Sequence, residues 1–166
     1  MAEAKALRWG FIQSAALFTG SLALAITYLL SPASRPFRQL IERLLAQSTG
    51  TVLSWVDPSV LVENTTVTIN GFAAQVIPAC TGLFTTAIFL AAVIAYPAAW
   101  LHKLRGVAIG IFGLLAVNWI RIVSLLVIGG YWPNAFDVAH LLVWRSVVLM
   151  IAAFLWLGWA RKAAHG

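Results

Sequence analysis

Between Trp9 and Leu30 the chain runs for about 22 residues without a charged side chain, enough for a helix to cross a bilayer core of about 30 Å. Three more apolar segments follow, at about 82–100, 104–128 and 140–159. Hydrocarbon offers backbone N–H and C=O groups no partners, so only helices or closed barrels can cross it. Runs of this length predict an all-α integral membrane protein with about four transmembrane helices. Composition agrees: 61% of the residues are hydrophobic and 10% charged, outside the range of soluble domains. The chain, 1–166, reads as a single membrane domain without internal repeats or low-complexity tracts. A cleavable signal peptide is the alternative for the first run, since Ser31-Pro32-Ala33 loosely resembles a cleavage site. The run exceeds the usual apolar length of about 7–15 residues, so it is expected to stay as a span.

The formal net charge of +6 is no sign of a nucleic-acid partner, because the cations sit in short segments beside apolar runs and form no dense stripe. Topology explains them. With the N-terminus cytoplasmic, Lys5, Arg8, Lys103, Arg105, Arg161 and Lys162 fall inside and Arg35, Arg38 and Arg43 outside, which obeys the positive-inside rule. Both termini are therefore expected in the cytoplasm. The loop holding His102, Lys103 and Arg105 is inside, and the loop around Asp137 is outside.

The outer segments have their own pattern. From about 34 to 48, Phe37, Leu40, Ile41, Leu44 and Leu45 recur at helical spacing, predicting an amphipathic helix too short to span and lying in the interface. Thr51 to Val62 reads as a connector broken at Pro58. At about 66–77, alternation in Thr66-Val67-Thr68-Ile69, the turn pair Asn70-Gly71 and a returning strand predict a small β-hairpin. It leads into Cys80, the only cysteine, which excludes an internal disulfide. Pro78 suits a helix start, so Cys80 is expected in the first turn of the second span, where unpaired N–H groups favour a thiolate. The bland alternative is a buried, inert thiol.

Arg121 lies inside the third span, a costly place for a guanidinium and by default a functional one. Asn118 and Ser124, three residues to either side, make a polar stripe with it. A structural arginine tying helices together through carbonyls and Asn118 is the alternative. His140 opens the fourth span, with Asp137 placed to cap that helix and to orient the imidazole. As a lone interfacial histidine it also reads as a helix-end anchor. Arg145 falls about 140° around the helix from His140, toward a partner subunit, a lipid headgroup or a substrate carboxylate. Cys80, Arg121 and His140 thus share the outer side, and a thiol, a fixed cation and a base are the parts of nucleophilic attack on an amide. Arg121 lies about 10 Å deeper than the expected helix end, so either the site is recessed or the third helix ends earlier.

Pro78-Ala79-Cys80-Thr81-Gly82, Asn118-Trp119-Ile120-Arg121 and Phe136-Asp137-Val138-Ala139-His140 follow one another in the order of the exosortase/archaeosortase family, which the chain resembles over about 71–159. Among its members the chain is most similar to the short ones, such as the exosortase H branch. The resemblance implies a multi-pass cysteine transpeptidase of the bacterial inner membrane with its active site on the periplasmic side. It implies Cys80 as nucleophile, His140 as proton carrier and Arg121 as the stabiliser of thiolate or oxyanion. The residues themselves add Thr81, Asn118, Ser124, Asp137 and Arg145 as candidate supporting groups, with the role of Arg145 left open. The implied partners are exported proteins with a C-terminal transmembrane sorting signal, the lipid bilayer and an unknown acceptor amine. No cofactor is implied.

Other readings stay open. A non-enzymatic four-span scaffold would use Arg121 and Asn118 to hold helices and leave Cys80 inert. A transporter or channel subunit would line an anion path with Arg121, but the second span adds little beyond Thr81, Thr85 and Thr86. A haem-binding bundle is the less favoured reading, because His102 and His140 fall at opposite faces and cannot ligate one haem, and no Cys and His spacing suggests zinc.

Overall fold

The structure is a computed structural model that describes residues 2–164, with side chains described from Gly10 onward. Lys5 and Arg8, counted above for orientation, lie outside the described side chains. Helix α1 (Ala2–Leu30) contains the apolar stretch Gly10–Leu30. A 3-10 turn at Pro32–Ser34 leads into α2 (Arg35–Ser54). Strands β1 (Leu61–Glu63), β2 (Thr66–Ile69) and β3 (Phe72–Gln75) form an antiparallel sheet in the order β1-β2-β3. After a 3-10 turn at Pro78–Cys80 comes α3 (Leu83–Ala95). Then α4 (Trp100–Ala108), a π-turn at Ile109–Gly113 and α5 (Leu114–Tyr131) make one continuous helix. Another begins with a 3-10 turn at Pro133–Ala135 and continues through α6 (Phe136–Val138), a π-turn at Ala139–Val143 and α7 (Trp144–Ala164). Gly10–Leu30, Trp100–Tyr131 and Pro133–Ala164 are long and apolar enough to cross a membrane, which makes this a mainly helical, multi-pass membrane protein.

Several boundaries differ from the sequence reading. The expected span at 82–100 is a helix of 13 residues, rising about 20 Å, because Tyr96 precedes Pro97 and takes an extended conformation (ψ 132°) that ends α3. His102, Lys103 and Arg105 lie on α4, not in a loop, so the helix expected over 104–128 runs over Trp100–Tyr131. The one expected over 140–159 begins at Pro133, whose fixed φ suits a first turn. The amphipathic helix continues to Ser54, because its buried face extends through Thr49, Gly50 and Leu53. Part of the expected connector is β1, which pairs with β2.

The helices alternate in direction. Cys80 lies beside Asn118, Phe89 beside Gly110 and Val93 beside Gly106, so α3 runs antiparallel to α4–α5. Leu155 approaches Gly113 and Trp159 packs on Gly106, so α7 is antiparallel to them as well. One core fills the sheet end: Ala46 and Leu53 of α2, Val67 and Ile69 of β2, and Ile122 and Leu126 of α5. The alternation of β2 turns Val67 and Ile69 inward, as its sequence demands. Gly129 and Gly130 let the sheet sit directly on α5, since a Cβ at these positions would collide with Phe72 and Ile69 respectively. A second core, with Phe89, Val93, Leu114 and Trp159, fills the other end.

Asp57 ties the sheet end together. It accepts from the Tyr131 hydroxyl at 2.7 Å and from the Ser59 N–H at 2.8 Å. These hydrogen bonds, the Tyr131 one first, hold its carboxyl below the usual carboxylate range. A carboxylate held low stabilises the fold fully above its unfolded value of about 4, and the contribution is lost as the pH falls through the lower folded value. Thermal unfolding in detergent is expected to show wild-type stability falling below about pH 4, with the fall shallower in Asp57→Asn.

Candidate functional site

Cys80 is held by a short, tightly tied turn. Its N–H donates to the Ile77 carbonyl at 2.8 Å. Thr81 is fully buried; its hydroxyl donates to the Pro78 carbonyl at 2.8 Å and accepts from the Leu83 N–H at 3.4 Å. Gly82 then takes φ +76°, where a Cβ would lie 3.0 Å from the Asn118 side chain. A residue at positive φ cannot continue a right-handed helix, so α3 starts only at Leu83. Cys80 therefore precedes α3 in its own 3-10 turn and is not in the helix's first turn as expected.

Asn118, 1% exposed, reaches across from α5, and its Nδ2 donates to the Cys80 carbonyl. Its Oδ1 is buried with no partner among the described residues. One turn further along α5, Arg121 lines a cavity of about 370 Å³ together with Cys80 and His140. Among the described residues, no carboxylate or hydrogen-bond acceptor holds its guanidinium; Ser124 bonds only its carbonyl, at 2.9 Å. A structural arginine would donate to Asn118 Oδ1, and that atom has no partner among the described residues.

His140 lies in the π-turn Ala139–Val143, and its ring stacks on Phe136 with centroids 5.5 Å apart. Phe136 in turn packs on Phe72 of β3, at 4.9 Å. The imidazole is thus oriented by an aromatic chain anchored on the sheet. Asp137 does not take the expected role: it is exposed, lies inside the helix that Pro133 starts, and makes no side-chain cap or bond to His140 among the described residues. Arg145 is exposed and, like Thr81, Asn118, Ser124 and Asp137, is not among the residues lining the cavity.

The depth of Arg121 is matched by its neighbours. The helix bearing His140 starts seven residues earlier, about 10 Å away along its axis, and α5 runs on to Tyr131. The cavity is therefore recessed below the helix ends, and β3 forms its upper wall through Phe72, Ala74 and Gln75. The sequence reading gave Phe72 and Phe136 no role in the site, although the spacing of Phe136 and His140 places them on one helix face. The site combines a thiol, a fixed cation and an imidazole, and among the described residues no carboxylate lines it. Such a set suits attack on a carbonyl with stabilisation of the developing negative charge. Among the described residues, no three His, Cys, Asp or Glu side chains gather as a metal site.

Fold and site together define a multi-pass membrane protein with a recessed thiol-bearing cavity. The family model of transmembrane exosortases (Exosortase_EpsH) matches residues 4–159, and the chain belongs to that family. No curated protein and no solved structure matches it.

Asn118→Ala removes the tie to the Cys80 carbonyl. It is expected to lower stability by about 1–2 kcal/mol, read by thermal unfolding in detergent. Alkylation of Cys80 by a small maleimide, timed by mass spectrometry, should become several-fold faster.

Proposed function

We propose that this protein is a membrane-embedded cysteine transpeptidase that cleaves a C-terminal sorting signal from exported proteins and transfers the product to an acceptor amine. The observation that carries this reading is the single cavity lined by Cys80, Arg121 and His140. Membership of the exosortase family supports it.

In the proposed topology the chain crosses the inner membrane four times, with both ends cytoplasmic. Helix α3, extended by the Pro78–Cys80 turn, makes the second crossing. Lys103, Arg105, Arg161 and Lys162 at one end favour the cytoplasmic side there. A core of about 30 Å takes about 20 helical residues, which from Arg105 reaches Leu125 and from Arg161 back reaches Leu141. The reacting groups then sit at the outer boundary of the hydrocarbon, with the sheet above them in the periplasm.

The thiol proton of Cys80 passes to His140, and the thiolate attacks the scissile carbonyl. Arg121 stabilises the oxyanion, an interaction strengthened where water is scarce. The C–N bond breaks, His140 returns the proton to the leaving amine, and a thioester to Cys80 remains. An acceptor amine gives its proton to His140 and forms the new amide as the thiol is released. The free edge of β3 is the proposed dock for the extended recognition segment. Val67 pairs with Ala74 and Ile69 with Phe72, and Val76 bonds Thr65, so the alternate residues Ala73 and Gln75 direct their backbone groups away from β2.

The test is processing of exported proteins with C-terminal membrane tails, followed on gels in cells. Cys80→Ser is expected to abolish it at normal abundance. His140→Ala should slow it by about 10²–10⁴-fold, and Arg121→Gln by about 10²–10³-fold. Unchanged processing in Cys80→Ser would overturn the mechanism in favour of the scaffold reading. Gln75→Pro removes one free-edge N–H without touching the β2 ladder. It should weaken processing while abundance holds; unchanged processing would remove strand addition.

A further inference from the structure

At the opposite end of the bundle a second cleft, of about 640 Å³, opens between α4 and α7. One face of α4 contributes His102 and Arg105, the π-turn that follows contributes Ile109, and one stripe of α7 contributes Phe154, Gly158 and Lys162 at intervals of four. The cleft is built, not incidental. The Trp159 indole N–H donates to the His102 carbonyl at 2.8 Å, and its ring packs so closely on Gly106 that a Cβ there would lie 2.7 Å away. His102 Nδ1 is buried with no partner among the described residues. Arg105 and Lys162 are exposed, and among the described residues neither has an ion-pair partner. The acidic side chains that are described, Glu42, Asp57, Glu63 and Asp137, lie on α2, the following loop, β1 and α6, all at the sheet end. Below the cations the wall is apolar, and beside Gly158 it is open: a Cβ there meets nothing within 4 Å.

Two cations without a counter-ion among the described residues, set above an apolar trough, match the two halves of one ligand. We propose that this cleft binds an anionic membrane phospholipid, its phosphate held by Arg105 and Lys162 and an acyl chain lying along Ile109, Phe154 and the trough at Gly158. Arg105 offers the paired N–H donors that fit phosphate oxygens, and Lys162 adds a point charge. The trough supplies what a free phosphate would not use. Basic pockets between helix ends at the membrane surface select anionic headgroups in this way.

Native mass spectrometry of the full chain, released from micelles containing phosphatidylglycerol or phosphatidylcholine with identical chains, tests the proposal. Wild-type protein is expected to retain phosphatidylglycerol at least about five-fold better. The double variant Arg105→Gln, Lys162→Gln should lose that preference. Gly158→Leu keeps both charges, fills the trough at an exposed helical position and should also lose it. Arg161→Gln removes a neighbouring charge outside the cleft and should keep it. Equal retention of the two lipids by wild type would overturn the proposal, as would undiminished preference in Gly158→Leu. Should the double variant fail to fold, Gly158→Leu alone decides. Displacement of the lipid by millimolar inorganic phosphate would mark a phosphate site and overturn the lipid assignment.

Discussion

The hydrogen bond from Asn118 to the Cys80 carbonyl is the tie on which the arrangement of the cavity depends. It joins the 3-10 turn before α3 to the middle of α5, at the level where Arg121 is one helical turn away. An amide buried in an apolar surround keeps such a bond because leaving either partner unmet is costly. Gly82 makes the bond possible. Its positive φ turns the chain aside, and its missing Cβ leaves room for Asn118. The position of Cys80 is thereby decided by a residue 38 positions later.

A second constraint comes from the sheet. Gly129 and Gly130 let β2 and β3 lie against α5 without intervening side chains, and the resulting core holds Phe72 over Phe136. Phe136 then sets the plane of His140. The sheet thus has two effects: it covers the cavity from above, and it orients the imidazole through aromatic packing where a carboxylate had been expected to do so. The long helices make this possible, since their extra turns rise past the site and give the sheet a surface to rest on.

The two ends of the bundle differ in charge as well as in shape. The sheet end holds the described carboxylates and the cavity, with Asp57 joining α5 to the loop before β1. The other end holds Lys103, Arg105, Arg161 and Lys162 around a core of Trp159, Phe89 and Val93. A charge asymmetry of this kind orients a helical bundle in a membrane and gives each surface a different class of partner.

Membrane class and helix-rich character were legible in the sequence, because hydrocarbon thickness and backbone hydrogen bonding leave a long apolar run few choices. The strands β2 and β3 were legible for a local reason too: Asn70-Gly71 accepts positive φ and the flanking residues alternate. Arg121 stood out because a charge in an apolar run is expensive wherever the helix goes. Helix ends were less legible, since α4 absorbed three residues read as a loop and Pro97 shortened α3. What only the tertiary structure decided was how the segments meet. The separate turn of Cys80, its bond to Asn118, the idle Asp137 and the stacking of His140 on Phe136 over Phe72 all depend on residues distant in the chain. Local periodicity can say which face a side chain takes, but it cannot say which other segment will be there to meet it.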